Sequence, residues 1–563
     1  RSLFPAGAPK LVMLGKGYSD GGGYPQSHFD NSAAPDGPLV TCRFSDFVMR
    51  TSDEQEWNAL DGEVLHWPST PADLKPWVIP AAEHAARQYE QAVYSGLEPT
   101  YEQVASFYPA IQYPNAIVGA DGYPGKAYVA WNGDVVLPPV NENYAAKVGD
   151  GIYWRLACDW PPTSLDDRGK LRRSLRKGYL PVVTTEWELS GIAYSQRVFA
   201  ARLRDDVLIV FWNLSLTNCG SETRTAHFFV SPGTLLKGWP VADPRTGSQF
   251  WSTYACPLRV QPNGVLVEQR EGADRIVAAF APLGQWHAHY QPPAEREAGA
   301  DAPAPVLDNA VEYSLAVPPG ETRRICIRMP FYPMPIQHEQ DMLAMDEELL
   351  LAECESRWEA FLEQGLPFRV PERSIADAMK THLINNQIIT NEIDGQRIPS
   401  YGAYTYEGLL YDFESEEFLE VMDLYGNHDE ARRCLEHLLE LGEQSRVAPG
   451  GEYAESDGWL GFGQHNLYAF GSAGSRAICE HFRLTGDTAW LRTMAPRLLR
   501  AATWIKNARA TTMRRDGAGE PMPYYGLIPR GEWCDIGEWE HWYFNSAFFY
   551  RSLRDIADVL RSV

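Results

Sequence analysis

The chain has no run of about 20 consecutive apolar residues, so no segment reads as a membrane-spanning helix. It is also short of positive charge. Fifty Lys and Arg stand against 74 Asp and Glu, a formal net charge of −24, and that excess repels nucleic acid and anionic membrane surfaces. The nine cysteines, at 42, 158, 219, 256, 326, 354, 434, 479 and 534, form no CxxC pair, and Cys434 and Cys479 fall inside helical patterns. An odd, dispersed set reads as reduced thiols, not as a disulfide framework or a zinc site, and favours the cytoplasm slightly over a secreted or periplasmic place. Residues 213–215 (NLS) match a glycosylation sequon by letter but sit in an apolar strand-like run, so they are read as chance. What is plentiful is aromatic: 18 Trp and 28 Tyr carry the aromatic share to 12%. A length of 563 residues with 44% hydrophobic content suffices for the cores of two to four domains.

Residues 1–60 are rich in Gly, Pro and Asp and read as irregular strands and loops, and 81–94 (AAEHAARQYEQAVY) as the one helix of the first half. From Ala127 strands dominate. An Asn132-Gly133 turn joins 127–131 to 134–137, and further strands are predicted at 179–185, 193–199, 207–216, 225–230, 275–281, 286–290 and 322–329. So many strands with almost no helices indicate a large antiparallel β-sandwich. His287 and His289 alternate onto one strand face and could pair on a metal. Without Asp, Glu or Cys at ligand spacing they read as sheet surface, and no metal is expected. Residues 292–305 (PPAEREAGADAPAP) read as a low-complexity surface loop.

The composition changes after residue 333. Residues 337–364 predict one long acidic helix with Leu349, Ala352, Trp358, Phe361 and Leu362 on its apolar side, ended by Gly365. It reads as a connector, giving a β domain over 1–335, a linker over 336–371 and a helical domain over 372–563. Helices are predicted at 374–391, 414–425, 429–443, 464–484, 488–510 and 541–560. Leu491, Met494, Leu498, Ala502 and Ile505 step by three or four, as do Phe549, Leu553, Ile556 and Leu560. Pro496 should kink its helix. Short turns (426–428, 485–487) alternate with long loops (392–413, 444–463, 513–540). Helical hairpins set in a ring place short turns at one end and long functional loops at the other, so the three long loops should converge on one face.

The richest stretch lies in the last of these loops. Residues 524–543 (YYGLIPRGEWCDIGEWEHWY) hold Glu532, Asp535, Glu538 and Glu540 among Trp533, Trp539 and Trp542, with Gly526, Pro529, Gly531 and Gly537 breaking any long helix or strand. Aromatic faces interleaved with carboxylates suit a polyhydroxylated substrate: rings stack on the sugar and acids move protons. The competing reading is a loop whose tryptophans pack on neighbouring helices while its acids face water.

In order and local pattern the chain resembles the six-hairpin (α/α)6-toroid glycosidases, a group of glucoamylase-like, glucosidase-I-like and rhamnosidase-like enzymes with the disaccharide phosphorylases. The segments that carry the resemblance are 358–371 (WEAFLEQGLPFRVP), 425–439 (YGNHDEARRCLEHLL), 467–491 with its Thr485-Gly486-Asp487 and Trp490-Leu491, then Gly526-Leu527-Ile528-Pro529, Asp535 and 543–560. It covers about 340–563 closely and the β half by architecture alone. It implies an N-terminal β-supersandwich, a linker helix and then the toroid, an arrangement found in many bacterial enzymes. It also implies a general acid in the loop between the fifth and sixth helices, where 513–540 falls, and a general base between the last two. About six of the twelve helices lie within these residues, so that second carboxylate is expected outside them.

The acid must keep its proton near neutral pH, which an apolar or like-charged setting provides. Asp535, after the Gly526–Pro529 turn, is the first candidate, followed by Glu538 and then Glu532, with Trp533 and Trp539 as apolar walls. The segment 401–414 (YGAYTYEGLLYDFE) matches the place where related enzymes anchor the deepest sugar. There Asp412 and Glu414 would accept from two hydroxyls of one ring while Tyr404, Tyr406 or Tyr411 stacks; Glu414 could equally cap its own helix. Asp457, Trp459, Gln464 and His465 form a third contribution, with Trp459 as stacking platform or as core. The expected function is a glycoside hydrolase, inverting, with a carbohydrate substrate and no cofactor. A disaccharide phosphorylase of the same fold and a non-catalytic glycan-binding protein are the alternatives.

Overall fold

The computed structural model describes residues 116–563 apart from 131, 139, 142–146, 149–150, 159–162, 165–170, 205–206, 236–250, 271, 291–306, 394, 400–410, 446–448, 463–466 and 533–538. The helix expected at 81–94 and the loop expected at 292–305 lie outside the described residues. Within them an antiparallel β region precedes a helical region, the β-plus-α organisation that the pattern predicts.

Two nine-stranded antiparallel sheets make up the first part. Among the described residues one runs Ala116–Gly119, Lys126–Val129, Val135–Leu137, Ile152–Cys158, Arg224–Leu235, Leu307–Val317, Gln285–Tyr290, with Thr163–Ser164 beside Ile152–Cys158 and Trp251–Thr253 beside Arg224–Leu235; the other runs Leu258–Val260, Val265–Arg270, Ala273–Ala281, Thr322–Pro330, Val207–Asn218, Ile192–Arg204, Leu180–Leu189, Arg172–Arg176, with Met334–Pro335 beside Ala273–Ala281. Each predicted strand from 179 to 329 is present within a few residues of its expected ends. The sheets share one core, in which Trp154, Phe228 and Tyr313 of the first meet Val198, Trp212, Phe280 and Ile327 of the second. The run VLIVFW in Val207–Asn218 carries no alternation because the second sheet is buried on both faces: Trp212 packs inward, while Phe211 packs outward beneath helices. His287 and His289 face carboxylates of the neighbouring strand, with Nε2 to Glu312 Oε2 at 2.7 Å and Nδ1 to Asp308 Oδ1 at 2.5 Å. No cluster of three metal-ligating side chains exists among the described residues.

Residues 337–364 form two helices, not one: α1 (Glu339–Leu343) and α2 (Glu347–Gln364). The break falls at Asp346, whose carboxylate accepts the Leu349 N–H (3.1 Å) and so starts a new helix. The buried stripe of α2 is Leu351, Cys354 and Trp358, stepping by three and four, and the expected Leu349 is 57% exposed. Trp358, 2% exposed, packs against the outer face of the second sheet, a burial whose loss to alanine costs about 3–5 kcal/mol. Then come α3 (Arg373–Ile389), a hairpin of Thr390–Ile393 and Gln396–Pro399 within the expected 392–413 loop, α4 (Asp412–Leu424), α5 (His428–Ser445), α6 (Ala473–Thr485), α7 (Thr488–Thr512) and α8 (Tyr543–Leu560). α6 starts nine residues later than the pattern suggests, after a 3-10 turn over Tyr468–Ser472 in which Gly471 passes the Trp459 ring. α7 continues through Pro496 for 25 residues. Gly486, at φ 68°, ends α6, and Asp487 caps α7 by accepting the Trp490 N–H at 2.9 Å.

The hairpin fastens the helices to the first sheet. Glu392 N–H donates to Gly122 O (2.7 Å), and the buried Lys126 ammonium donates to Pro124 O (2.7 Å) and to Asn391 Oδ1. Arg397, 4% exposed, draws together Asp121, Glu392, Gln387 and Glu430. The backbone leaving this anchored hairpin leads to the N-terminus of α4.

Candidate functional site

Asp412 is the first residue of α4, and it is fully buried. Its position follows from helical spacing, since Asp412, Ser415, Glu416, Leu419, Met422 and Asp423 occupy the inward stripe of α4. Phe462 N–H donates to its Oδ2 at 2.7 Å, and Oδ1 has no partner among the described residues. Burial, then the charges of Glu414 and Glu416, push its pKa well above the usual carboxylate range. Glu414 itself is on the same first turn but off the buried stripe.

Trp459 stands opposite. It is half-buried, and its ring packs against Trp504 (5.1 Å between centroids), Tyr468 (5.9 Å) and Phe549 (6.4 Å), the contacts of the core alternative. Its indole Nε1–H has no partner among the described residues. Gly461 brings this edge to Asp412: a Cβ there would stand 2.8 Å from Trp459 Nε1 and 2.9 Å from Asp412 Oδ2. The absence of a side chain at 461 is what lets the carboxyl, an acceptor through Oδ2, and the indole donor approach the backbone there, a gap too tight for even a methyl.

The third loop is joined to the second. Glu532 N–H donates to Gly450 O (2.9 Å), Glu452 N–H to Arg530 O (2.8 Å), and Arg530 pairs with Glu452 at 2.7 Å. Tyr468 lies between Gly451 and Gly531, where any Cβ would come within 2.5 Å of its ring. Gly531–Glu532 pairs antiparallel with Trp539–Glu540, so the expected loop of 513–540 contains a short hairpin that flanks residues 533–538. Tyr524 stacks on His541 at 4.4 Å, and His541 Nδ1 lies 3.0 Å from Ile528 O. The stems of the three long loops therefore meet at one end of the helices. At the other end the short turns carry their own pairs, Arg432 to Asp487 (2.7 Å) and Asp423 to His481 (2.8 Å).

Of the residues singled out from sequence, Tyr406, Gln464, Trp533, Asp535 and Glu538 lie outside the described residues, as do Tyr404 and His465. Tyr411 is half-buried beside Asp412. Glu532 is half-buried on the hairpin strand, and Trp539 is 46% exposed. Sequence reading missed the pair of Glu416 and Arg476, both nearly fully buried one layer below Asp412. Arg476 lies over the rings of Phe548 (4.4 Å) and Phe413 (5.2 Å). Burial raises Glu416 to about 7 and lowers Arg476 even though the two attract each other. A signal was available: Arg476 is a cation on the buried stripe of α6, between Ala473 and Ala477. A cavity of about 570 Å³ elsewhere is lined by Lys177, Tyr179, Arg369, Arg373 and Lys380, and it shares no residue with the Asp412 space.

No protein-family model matches the chain, and no curated protein matches it by sequence. Solved structures do resemble it. A candidate kojibiose phosphorylase from the human microbiome aligns over 80% of this chain at 10% identity with a TM-score of 0.41. A family GH92 alpha-mannosidase from Bacteroides thetaiotaomicron aligns over 80% of this chain and 70% of its own at 12% identity, TM-score 0.29. A third, named an aldose 1-epimerase, from Escherichia coli K12, matches 39% of this chain and 98% of its own at 12% identity, TM-score 0.22. The chain spans about three fifths (59%) of the first of these.

Proposed function

We propose that the chain is a carbohydrate-active enzyme that breaks a glycosidic bond by carboxylate acid/base chemistry without a cofactor. In this reading residues 1–335 form a β-supersandwich, 336–371 a linker, and 372–563 the first half of an (α/α)6 catalytic toroid. The observation that carries it is that two side chains which both approach Gly461, those of Asp412 and Trp459, each keep a buried polar atom (Oδ1 and Nε1–H) with no partner among the described residues, where three loop stems converge. Leaving a buried polar atom unmade costs about 1–3 kcal/mol, so two of them on neighbouring side chains favour a ligand that supplies both a donor and an acceptor. A sugar hydroxyl does both. Asp412 anchors the ring in the deepest subsite, and the stretch beside it supplies the acid: Asp535 first, with Glu538 and Glu532 as the other carboxylates. The acid protonates the leaving oxygen while a base on the opposite face activates water; inversion places the two carboxyls about 6.5–9.5 Å apart.

The test is a screen of aryl α- and β-glycosides and natural disaccharides, run with and without inorganic phosphate, so that hydrolysis and phosphorolysis separate. On a responsive substrate, Asp535→Asn is expected to lower kcat by 10²-fold or more, the usual span of general-acid catalysis being about 10²–10⁴. If Asp535→Asn and Glu538→Gln both retain full activity, this assignment of the acid is wrong.

A further inference from the structure

We propose that the cavity of about 570 Å³ between α3 and the turn from Arg172–Arg176 to Leu180–Leu189 is a phosphate-binding site, taking free phosphate or the phosphate group of a phosphorylated sugar. It stands apart from the glycosidic-bond reading: Asp412 and its neighbours have no part in it, and it holds or fails whatever bond the chain breaks.

Three segments build the walls. Lys177 and Gly178, both at positive φ (55° and 92°), lie in the tight turn between two strands of the second sheet. That turn sits so close to α3 that a side chain at 178 would collide with the Asp377 carboxylate. On α3, Arg373, Asp377 and Lys380 are spaced by four and three, so they share one face, and all three line the cavity. The segment between α2 and α3 completes the wall with Phe368, Arg369, Val370 and Pro371.

Charge singles this cavity out. Across the chain acids outnumber bases by 74 to 50, yet the lining holds four cations, at 177, 369, 373 and 380, and one carboxylate, at 377. Two of the cations are answered. Lys177 Nζ lies 2.7 Å from Glu359 Oε1 and 3.5 Å from Glu355 Oε2, and Arg373 Nε lies 3.3 Å from Asp377 Oδ2. Arg369 and Lys380 pair with no carboxylate among the described residues; the Lys380 ammonium is held instead over the Tyr179 ring, 4.4 Å from its centroid.

Two uncompensated positive charges match the charge of about −1.5 to −2 that a phosphate monoester carries near neutral pH. The Arg369 fork can take two phosphate oxygens at once while Lys380 acts as a point charge. A carboxylate ligand would leave one of these cations unanswered, and an uncharged sugar would leave both. The volume exceeds what a phosphate group fills and lies in the range of about 300–1,000 Å³ usual for small-molecule sites. Tyr179, Phe368 and Val370 give the remainder an apolar wall for the body of a phosphorylated sugar.

The experiment is calorimetric titration at fixed ionic strength, which holds non-specific attraction constant. Inorganic phosphate, glucose 6-phosphate and D-glucose are titrated into wild type, Arg369→Ala, Lys380→Met and Arg492→Gln, the last removing an exposed cation of α7 outside the cavity. Arg369 is exposed, and Lys380→Met keeps an apolar stem against Tyr179, so both variants should melt as wild type does without ligand. The expected result is saturable binding of a phosphate probe, weakened tenfold or more in Arg369→Ala and Lys380→Met and unchanged in Arg492→Gln. The probe should also raise the melting temperature of wild type and not of the two cavity variants. Glucose 6-phosphate binding the tighter upholds the site with a phosphorylated sugar as its ligand; inorganic phosphate binding as tightly or more so upholds it with free phosphate. The proposal is overturned if neither phosphate probe saturates below about 10 mM, if D-glucose binds as well as they do, or if Arg492→Gln weakens binding equally. Undiminished affinity in Arg369→Ala also overturns it, and that variant decides alone should Lys380→Met fail to fold.

Discussion

Removing Arg397 tests how the helices are fastened to the sheets. The guanidinium reaches Asp121 Oδ1 (2.7 Å) and Gln387 Oε1 (2.8 Å) through Nη2 and Glu392 Oε2 (3.1 Å) through Nη1, with Glu430 beside Nε. Burial alone would lower its pKa, but Asp121 and Glu430 outweigh burial and raise it, so the group stays charged. In Arg397→Ala the four partners fare differently. Asp121 and Glu392, 44% and 41% exposed, turn to water, and pairs of that kind are worth about 0–1 kcal/mol. Glu430, 18% exposed, and the buried Gln387 are left facing a void, and breaking a buried pair by removing one partner costs about 3–5 kcal/mol. The expected loss is about 3 kcal/mol, near the lower bound, because half the load is re-solvated. Urea unfolding should show a lower midpoint at unchanged slope. Arg397→Met, which refills the volume, should recover little, whereas adding Glu430→Gln to Arg397→Met should recover most of the loss. Adding Asp121→Asn should change it by no more than about 0.5 kcal/mol. A loss under about 1 kcal/mol, or no relief from Glu430→Gln, would refute the reasoning that a stranded buried carboxylate sets the magnitude.

Two further outcomes can be measured directly. Glu416 rises from its ordinary 4.5 to about 7 in the folded chain, so the folded state binds the extra proton. Stability should therefore fall as pH climbs from about 4.5 to about 7, by about 3 kcal/mol at 1.4 kcal/mol per unit, and then level off. Urea midpoints at pH 5 and 7.5 should differ more for wild type than for Glu416→Gln; equal differences would exclude Glu416 as the source. Gly461→Ala puts a methyl at 2.8 Å from Trp459 Nε1 and 2.9 Å from Asp412 Oδ2, an overpacking worth about 1–3 kcal/mol. It should lower the melting temperature and raise KM together, and unchanged values of both would show that the two groups do not share that space.

Much of this molecule is legible in its sequence because it is encoded locally. Strands such as Ile192–Arg204 alternate buried and half-buried positions, and the Leu491, Met494 and Leu498 stripe of α7 is buried as its spacing requires. The illegible parts depend on partners distant in sequence. Nothing near Arg397 shows that Asp121, 276 residues away, will reach it. Asp412 and Glu414 are equivalent as letters, yet helical spacing separates them, since 412 falls on the stripe of Leu419 and Met422 while 414 falls off it. The 337–364 segment reads as one helix because its acidic residues mask the one, Asp346, that caps a second.

That distinction between polar residues on and off an apolar stripe also organises the site. A polar side chain at a core position must find a partner inside the protein or keep a place for one that arrives. At the short-turn end the partners are internal: His481 Nδ1 lies 2.8 Å from Asp423 Oδ2, and Arg483 donates to Asp555 Oδ1 at 2.7 Å. Just below the long loops, Arg476 and Glu416 also close on each other. At the long-loop end Asp412 Oδ1 and the Asn545 amide, set by the same helical periodicity on α4 and α8, meet nothing among the described residues. One repeated rule of helix packing thus yields closed pairs at some of these buried positions and, at Asp412 and Asn545, polar groups with no partner among the described residues.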